Sequence, residues 1–260
     1  SLNIKRLTIK EQQIESLRGS LRTTVQKIQY VDLTGFINQH KAHVIFTFDT
    51  APYATIEMIP LPRAPYPIRA NFKLDGSLEH LRWKGDFGKV LSVQGQLDQL
   101  ARLQSTMEWR DLSWNSYNSP NGRLKVSGTL PELTMDWDVL AATKQQQNLH
   151  SKGSIKGSFN GNWALQSKIS GNLFTSLPVA ADINAQLTPN ALSGVSEILI
   201  SHDKKINLRF TLPKFQLGQW DNKNQPFTTD WTAHIDRLDF LQALSPDLGE
   251  LRGVLDAHGH

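Results

Sequence analysis

Apolar and polar residues alternate along most of this chain, and a period of two is the mark of extended backbone, which sends successive side chains to opposite faces of a sheet. Ile68, Ala70, Phe72 and Leu74 oppose Arg69, Asn71 and Lys73. Leu124, Val126, Gly128 and Leu130 oppose Arg123, Lys125, Ser127 and Thr129, and Leu133, Met135, Trp137 and Val139 oppose Thr134, Asp136 and Asp138. The same pattern runs through Leu91 to Leu97, Leu103 to Trp109, Val179 to Leu187, Ile206 to Leu212 and Phe227 to Ile235. Half-buried strands read this way, so the chain is expected to be all-β, with strands over more than half of it. Arg69, Lys73, Lys125 and Asp136 fall in the water-facing phase. Helical period survives only in Leu238 to Leu244, a turn or two that Ser245-Pro246 would end.

Turn chemistry separates the strand-like runs. His202-Asp203-Lys204-Lys205 lies between two aliphatic strands, and Asn118-Ser119-Pro120-Asn121-Gly122 precedes another. Antiparallel hairpins are the expected local unit. In Pro60-Leu61-Pro62-Arg63-Ala64-Pro65-Tyr66-Pro67 each proline removes a ladder donor, so this stretch cannot sit inside a central strand. It reads as a corner or a subdomain boundary in what is otherwise one continuous β segment from 1 to 260. Gln145-Gln146-Gln147-Asn148 reads as a polar surface loop.

A short motif recurs seven times: an aliphatic residue, any residue, Gly, any residue, then Leu or Phe. Its copies begin at Leu17, Leu74, Val93, Val126, Ile155, Ile169 and Leu251, and three of them are followed by a further Leu, at Leu81, Leu100 and Leu133. Irregular spacing excludes a solenoid of one repeat length. The motif glycine shares a face with the aliphatic residues two before and two after it, which implies gaps in the apolar face. A glycine within a strand marks a bend, a bulge or close approach by another group, and relief of twist in an ordinary sandwich is the simpler account. A corner at Leu130-Pro131 would explain the change of parity before Leu133.

Composition narrows the function classes. A chain of 260 residues can bury a substantial core as one large β domain or two ordinary ones. The net charge of +4 is small, and the basic residues are spread out rather than blocked, which argues against a nucleic-acid binder. Absence of cysteine removes disulfides, thiolate metal sites and thiol nucleophiles. No apolar run approaches the roughly 20 residues that span a bilayer, and no signal-peptide pattern opens the chain. Because both ends fall within strand-like pattern, a segment of a longer protein is expected, its anchor and targeting signals lying elsewhere.

Catalytic constellations are weak. The close histidine pairs, His40 with His43 and His258 with His260, lack a third ligand at a metal spacing. Consecutive Ser201-His202-Asp203 cannot converge as a triad and reads as a hairpin turn. Asp136 and Asp138 share a strand face in the manner of paired glycosidase carboxylates, but on the solvated side. Trp83, Trp109, Trp137 and Trp231 fall on apolar faces and read as core before ligand platform. No enzyme, cofactor or metal is expected.

Gly128-Thr129-Leu130-Pro131-Glu132-Leu133 resembles TamB proteins of Gram-negative bacteria, in the AsmA superfamily. So does Trp231-Thr232-Ala233-His234-Ile235 leading through Leu244-Ser245-Pro246-Asp247-Leu248 to Leu251-Arg252-Gly253-Val254-Leu255. The likeness covers most of the chain, including its opening Ser1-Leu2-Asn3-Ile4 and Leu91 to Val139. It implies a long β-sheet curled lengthwise into a gutter with an apolar concave face and few short helices. It also implies a protein anchored in the inner membrane, crossing the periplasm, working with the outer-membrane barrel TamA and moving phospholipid for outer-membrane biogenesis. About 15 strands at ~4.8 Å spacing would stack to about 70 Å, which suits such a shape.

Two functions follow. In a lipid conduit, acyl chains would pass along Phe72, Leu74, Val93, Met107, Leu124, Val126, Met135, Val139, Ile183, Leu208 and Phe210. Gly76, Gly95, Gly128 and Gly157 would keep that groove open. In a scaffold or chaperone, exposed strand edges would accept strands of outer-membrane clients. Such edges would also favour self-association of the segment.

Overall fold

The computed structural model describes residues 2–9, 12–23, 28–37, 40–47, 51–62, 69–77, 79–114, 117–143, 148–158, 161–173, 177–201, 204–213, 228–235 and 253–259. Among them there is no helix, and strands dominate. Leu238 to Leu244, Ile68 and Gln145 to Gln147 lie outside the described residues.

The chain forms two compact units, Ser1–Arg110 and Asp111–His260. The first holds β1 Leu2–Ile9, β2 Gln12–Thr23, β3 Ile28–Ile37, β4 His40–Thr47, β5 Tyr53–Pro60, β6 Ala70–Gly76, β7 His80–Phe87 and β8 Leu91–Asp98, with most of β9 Arg102–Trp114. The second holds β10 Tyr117–Thr129, β11 Glu132–Thr143, β12 Asn148–Ser158, β13 Trp163–Leu173, β14 Leu177–Thr188, β15 Ala191–Ile200, β16 Lys204–Pro213, β17 Thr228–Ile235 and β18 Leu255–Gly259. Within each unit every strand pairs antiparallel with its neighbour in the chain. The expected hairpin meander is what forms. The boundary between units falls inside β9 and not in the proline-rich stretch, because β5 and β6 pair across that stretch from Met58 opposite Ala70 to Ala54 opposite Leu74.

Two of the described turns follow the local chemistry, whereas Asn118 to Gly122, expected as a turn, lies within β10 and carries a register shift between Asn118 and Asn121. Between β6 and β7, Ser77 and His80 exchange backbone hydrogen bonds of 3.1 Å in each direction, and Ser77 Oγ also accepts from the His80 amide. Between β14 and β15, Thr188 Oγ1 accepts from the Ala191 amide at 3.0 Å around Pro189-Asn190. The β8 to β9 turn has no such signal. Its two central residues, Gln99 and Leu100, both take positive φ, 51° and 52°, the backbone of a two-residue hairpin turn that usually selects Asn or Gly.

The alternation read from sequence sorts the two faces of the strands in each unit. Arg69, Lys73, Lys125 and Asp136 are exposed, while Phe72, Val126, Trp137 and Phe210 are half-buried on the opposite sides. Among the described residues the strands that pack closely on one another within a unit are neighbours in the chain, so those strands form one layer. Among the described residues no large side chain is fully buried, and the buried apolar set is mostly small: Ala42, Ala70, Ala185 and Ala233 with Leu133, Leu177 and Ile235. A sandwich would cover the apolar face with a second sheet about 10 Å away. Among the described residues neither unit contains such a second sheet.

Candidate functional site

Register decides which side chains stand side by side, because directly opposite residues of antiparallel strands share a face. In the first unit Ile56, Phe72, Gly85, Val93 and Met107 are paired in turn from β5 to β9, and Ala54, Leu74, Trp83, Gly95 and Ser105 form the adjacent row. Phe72, Leu74, Val93 and Met107 therefore lie on one apolar face. In the second unit Val126, Met135, Ile155, Leu165, Ala185, Gly194 and Phe210 make one row from β10 to β16. The next row carries Leu124, Trp137, Gly153, Ser167, Ile183, Ser196, Leu208, Trp231 and Gly259, and Val139 stands in the third. Leu124, Val126, Met135, Val139, Ile183, Leu208 and Phe210 thus share one face, each half-buried.

The glycines on these faces do not leave gaps. A Cβ on Gly95 would stand 2.6 Å from Trp83 Cε2, one on Gly157 2.6 Å from Trp163 Cδ2, and one on Gly153 2.8 Å from Trp137 Cε2. Gly194 lies under Phe210 and Gly259 under Trp231 in the same way. An aromatic ring on one strand covers the bare backbone of the strand beside it, which recovers the contact that the glycine lacks. Gly76 and Gly128 have another role. Their φ values of +127° and +149° are open to glycine alone, at the points where β6 and β10 turn over so that Leu81 and Leu133 come directly opposite them. The motif is thus a packing and turning device, and two of its trailing leucines close the hairpin against the glycine. Leu100, the third, sits exposed in its turn.

The opposite faces carry charge. Lys73 Nζ lies 2.8 Å from Asp75 Oδ2, and that hydrogen bond holds the Lys73 ammonium above its ordinary pKa and the Asp75 carboxyl below its own. Lys205 meets Glu197 at 2.6 Å. Four histidines pair with aspartates of the adjacent strand: His43 with Asp32 at 2.9 Å, His80 with Asp98 at 3.1 Å, His150 with Asp138 at 2.6 Å and His234 with Asp256 at 2.5 Å. Exposed pairs between adjacent strands, such as the His–Asp pairs, fasten those strands only weakly. His40 and His43 point to opposite faces, His40 being buried beside Ala42. Among the described residues no three His, Asp or Glu come together in a group fit for a metal. Asp138 is taken up by His150, and Asp136 stands opposite Lys125 and Ser154. Three shallow depressions, the widest about 730 Å³, lie over β11 to β18 and are lined mainly by charged-face side chains such as Asn184 and Arg209.

Three polar features of the apolar faces escaped the sequence reading. Ser151 accepts a hydrogen bond from Trp137 Nε1 at 3.0 Å. Ser105 donates to the Gln94 carbonyl at 3.2 Å. Ser167 and Ser196 stand at apolar-phase positions and are each only 8% exposed. A serine in the apolar phase of a strand was the available signal. Compared with family models, with curated proteins and with solved structures, the chain matches none.

Proposed function

We propose that this chain is a lipid-carrying segment of a TamB-like bridge, in which phospholipid acyl chains lie along the apolar faces of its strands. The observation that carries this reading is that, among the described residues of each unit, strands pack closely only on their chain neighbours and one face is apolar from row to row. Such a face in contact with water costs free energy in proportion to its area, about 25 cal/mol per Å². A ligand of hydrocarbon removes that cost without needing polar complementarity, and a surface that binds by area alone lets a chain slide from one row to the next. No bond is made or broken in this role. The rest of the reading comes from the family likeness: a periplasmic setting in a Gram-negative bacterium, an inner-membrane anchor and the barrel TamA as partner, engaged through other parts of the protein.

Leu124→Asp and Val126→Asp test it. On an open face the new carboxylate reaches water, so the loss is about the transfer term of one aliphatic side chain, about 1.5–3 kcal/mol, and the sheet survives. An acyl chain then meets a hydrated charge. The expected result is protease-resistant protein that no longer retains lipid, read by mass spectrometry of lipid extracted from the purified chain. Undiminished lipid in both well-folded variants would remove the face as a lipid path.

A further inference from the structure

The polar faces of the two units differ in how they distribute charge. In the first unit every row that crosses β6 to β9 on that side carries charge, from Asp86 and Glu108 through Lys73 and Lys84 to Asp75 and Arg82. The second unit departs from this between β13 and β16. One row there reads Gln166, Asn184, Val195 and Arg209, and the row beside it Ala164, Gln186, Ser193 and Thr211. Arg209 is the only charge in these two rows, and together they line a shallow depression of about 390 Å³. That volume falls within the range of small-ligand sites.

The lining decides what can lie across it. Exposed Gln166, Asn184 and Gln186 each offer a carbonyl acceptor and two N–H donors, and Ser193 and Thr211 add hydroxyls that serve as either. Among the described residues no carboxylate lines this depression, so a metal ion would find no counter-charge. An anion would find one guanidinium, whose partner across the ladder is Asp230. A hydrocarbon would strip water from three amides and return no hydrogen bond. A neutral ligand rich in hydroxyls matches amides and hydroxyls, and exposed Val195 beside Ala164 gives the C–H side of a sugar ring an apolar rest. Both rows run across the strands, so their side chains recur every ~4.8 Å, close to the length of one pyranose in an extended β-linked chain. We propose that the polar face of β13 to β16 binds a neutral, linear, β-linked glycan, one sugar to a strand, with Gln166 and Asn184 as its main hydrogen-bonding residues and Val195 beneath a ring. This site lies on the opposite face of the strands from the lipid path and does not depend on it.

The test titrates the full chain with cellotetraose and chitotetraose, two neutral β-linked probes, and with maltotetraose, whose α-linkages curl the chain. Binding is followed by the side-chain amide signals of Gln166, Asn184 and Gln186 in two-dimensional NMR, which also reports folding in the same sample. At least one β-linked probe should bind with a Kd of about millimolar, as a few hydrogen bonds on an open surface allow, and roughly tenfold more tightly than maltotetraose. Gln166→Ala with Asn184→Ala, followed through Gln186, should weaken that probe about tenfold, whereas Lys152→Gln in the charged depression alongside should leave it within about twofold. A wild type whose amide signals move with none of the probes, equal binding of the α-linked and β-linked chains, or undiminished binding by the folded alanine variant would each overturn the glycan site. None of these outcomes touches the lipid path, which the apolar-face variants test separately.

Discussion

Two rows of side chains, one in each unit, are built from the same four residues in the same order across four consecutive strands. Leu74, Trp83, Gly95 and Ser105 run from β6 to β9, and Leu124, Trp137, Gly153 and Ser167 from β10 to β13. In both, the indole lies over the glycine of the next strand. They differ in where the polar hydrogens go. In the first unit Ser105 donates to the Gln94 carbonyl, and the residue two before the glycine is Val93, whose side chain offers the Trp83 indole no acceptor. In the second unit Ser151 takes the Trp137 N–H at 3.0 Å. Val93 occupies in β8 the place that Ser151 holds in β12, two residues before the glycine. One residue type thus decides whether the indole has a side-chain acceptor on the next strand while the packing stays the same.

The strongest way to break the likeness is to remove what the rows share. A Cβ at Gly95 or Gly153 would run into the indole and also into a backbone carbonyl of the following strand, Gln104 or Gln166, neither of which can swing aside. Gly95→Ala and Gly153→Ala are each expected to destabilise by about 2–3 kcal/mol, in the range of overpacked sites. The measurement is the urea midpoint, together with a red shift of tryptophan emission as the indole is pushed out. A cost below about 0.5 kcal/mol would mean that the indoles do not rest on the glycines.

Next in size is the exchange itself. Ser151→Val should cost about 1 kcal/mol, since it strands the Trp137 N–H on an apolar face, whereas Val93→Ser should lose little or gain a few tenths of a kcal/mol by giving Trp83 an acceptor. The pair of variants is read by urea denaturation with the slope held constant. If Val93→Ser were as damaging as Ser151→Val, burial of the valine methyls and not the indole hydrogen bond would be the difference between the rows.

Much of this fold was legible because a period of two leaves few options. Leu91 to Leu97, Leu103 to Trp109 and Leu124 to Val139 fall in strands β8 to β11, and the residues selected for the apolar faces lie on them. What could not be read depends on register. Trp83 and Gly95 are distant in sequence and meet only because a hairpin of a particular length aligns them, so the glycines looked like gaps until the rings were placed. The turn at Gln99-Leu100 carries neither Gly nor Asn, and its left-handed backbone is imposed by the strands that it joins. The division at Arg110 falls within a continuous strand, without any change of composition to mark it. An apolar-phase serine such as Ser151 looks identical in sequence to Ser105, although one accepts from an indole and the other donates to a backbone carbonyl.

The smallest expected effect lies behind the first row, on its charged side. Lys73 and Asp75 flank Leu74 and bond to each other at 2.8 Å, with Arg82 a further 3.4 Å from the same carboxylate. Behind Leu124 the flanking residues are Arg123 and Lys125, and their opposite charges come from Asp138 and Asp136 across the ladder. Asp75 has its carboxyl pKa lowered, first by the Lys73 hydrogen bond, so its contribution is present above the ordinary carboxylate range and is lost as pH falls through the lowered value. Lys73, raised by the same bond, keeps its share below the ordinary lysine range and loses it only as pH rises through the raised value. Between those limits the stability from this pair is flat. Asp75→Asn should therefore lower the urea midpoint slightly at neutral pH, by an amount that shrinks in 1 M salt, and the wild-type and variant curves should converge as acid protonates the carboxylate. Because the pair is exposed and the indole lies on the other face, Trp83 emission should not change. A shift in that emission would mean that the charged side positions the ring, and the two rows would then differ by their backing as well as by Val93 and Ser151.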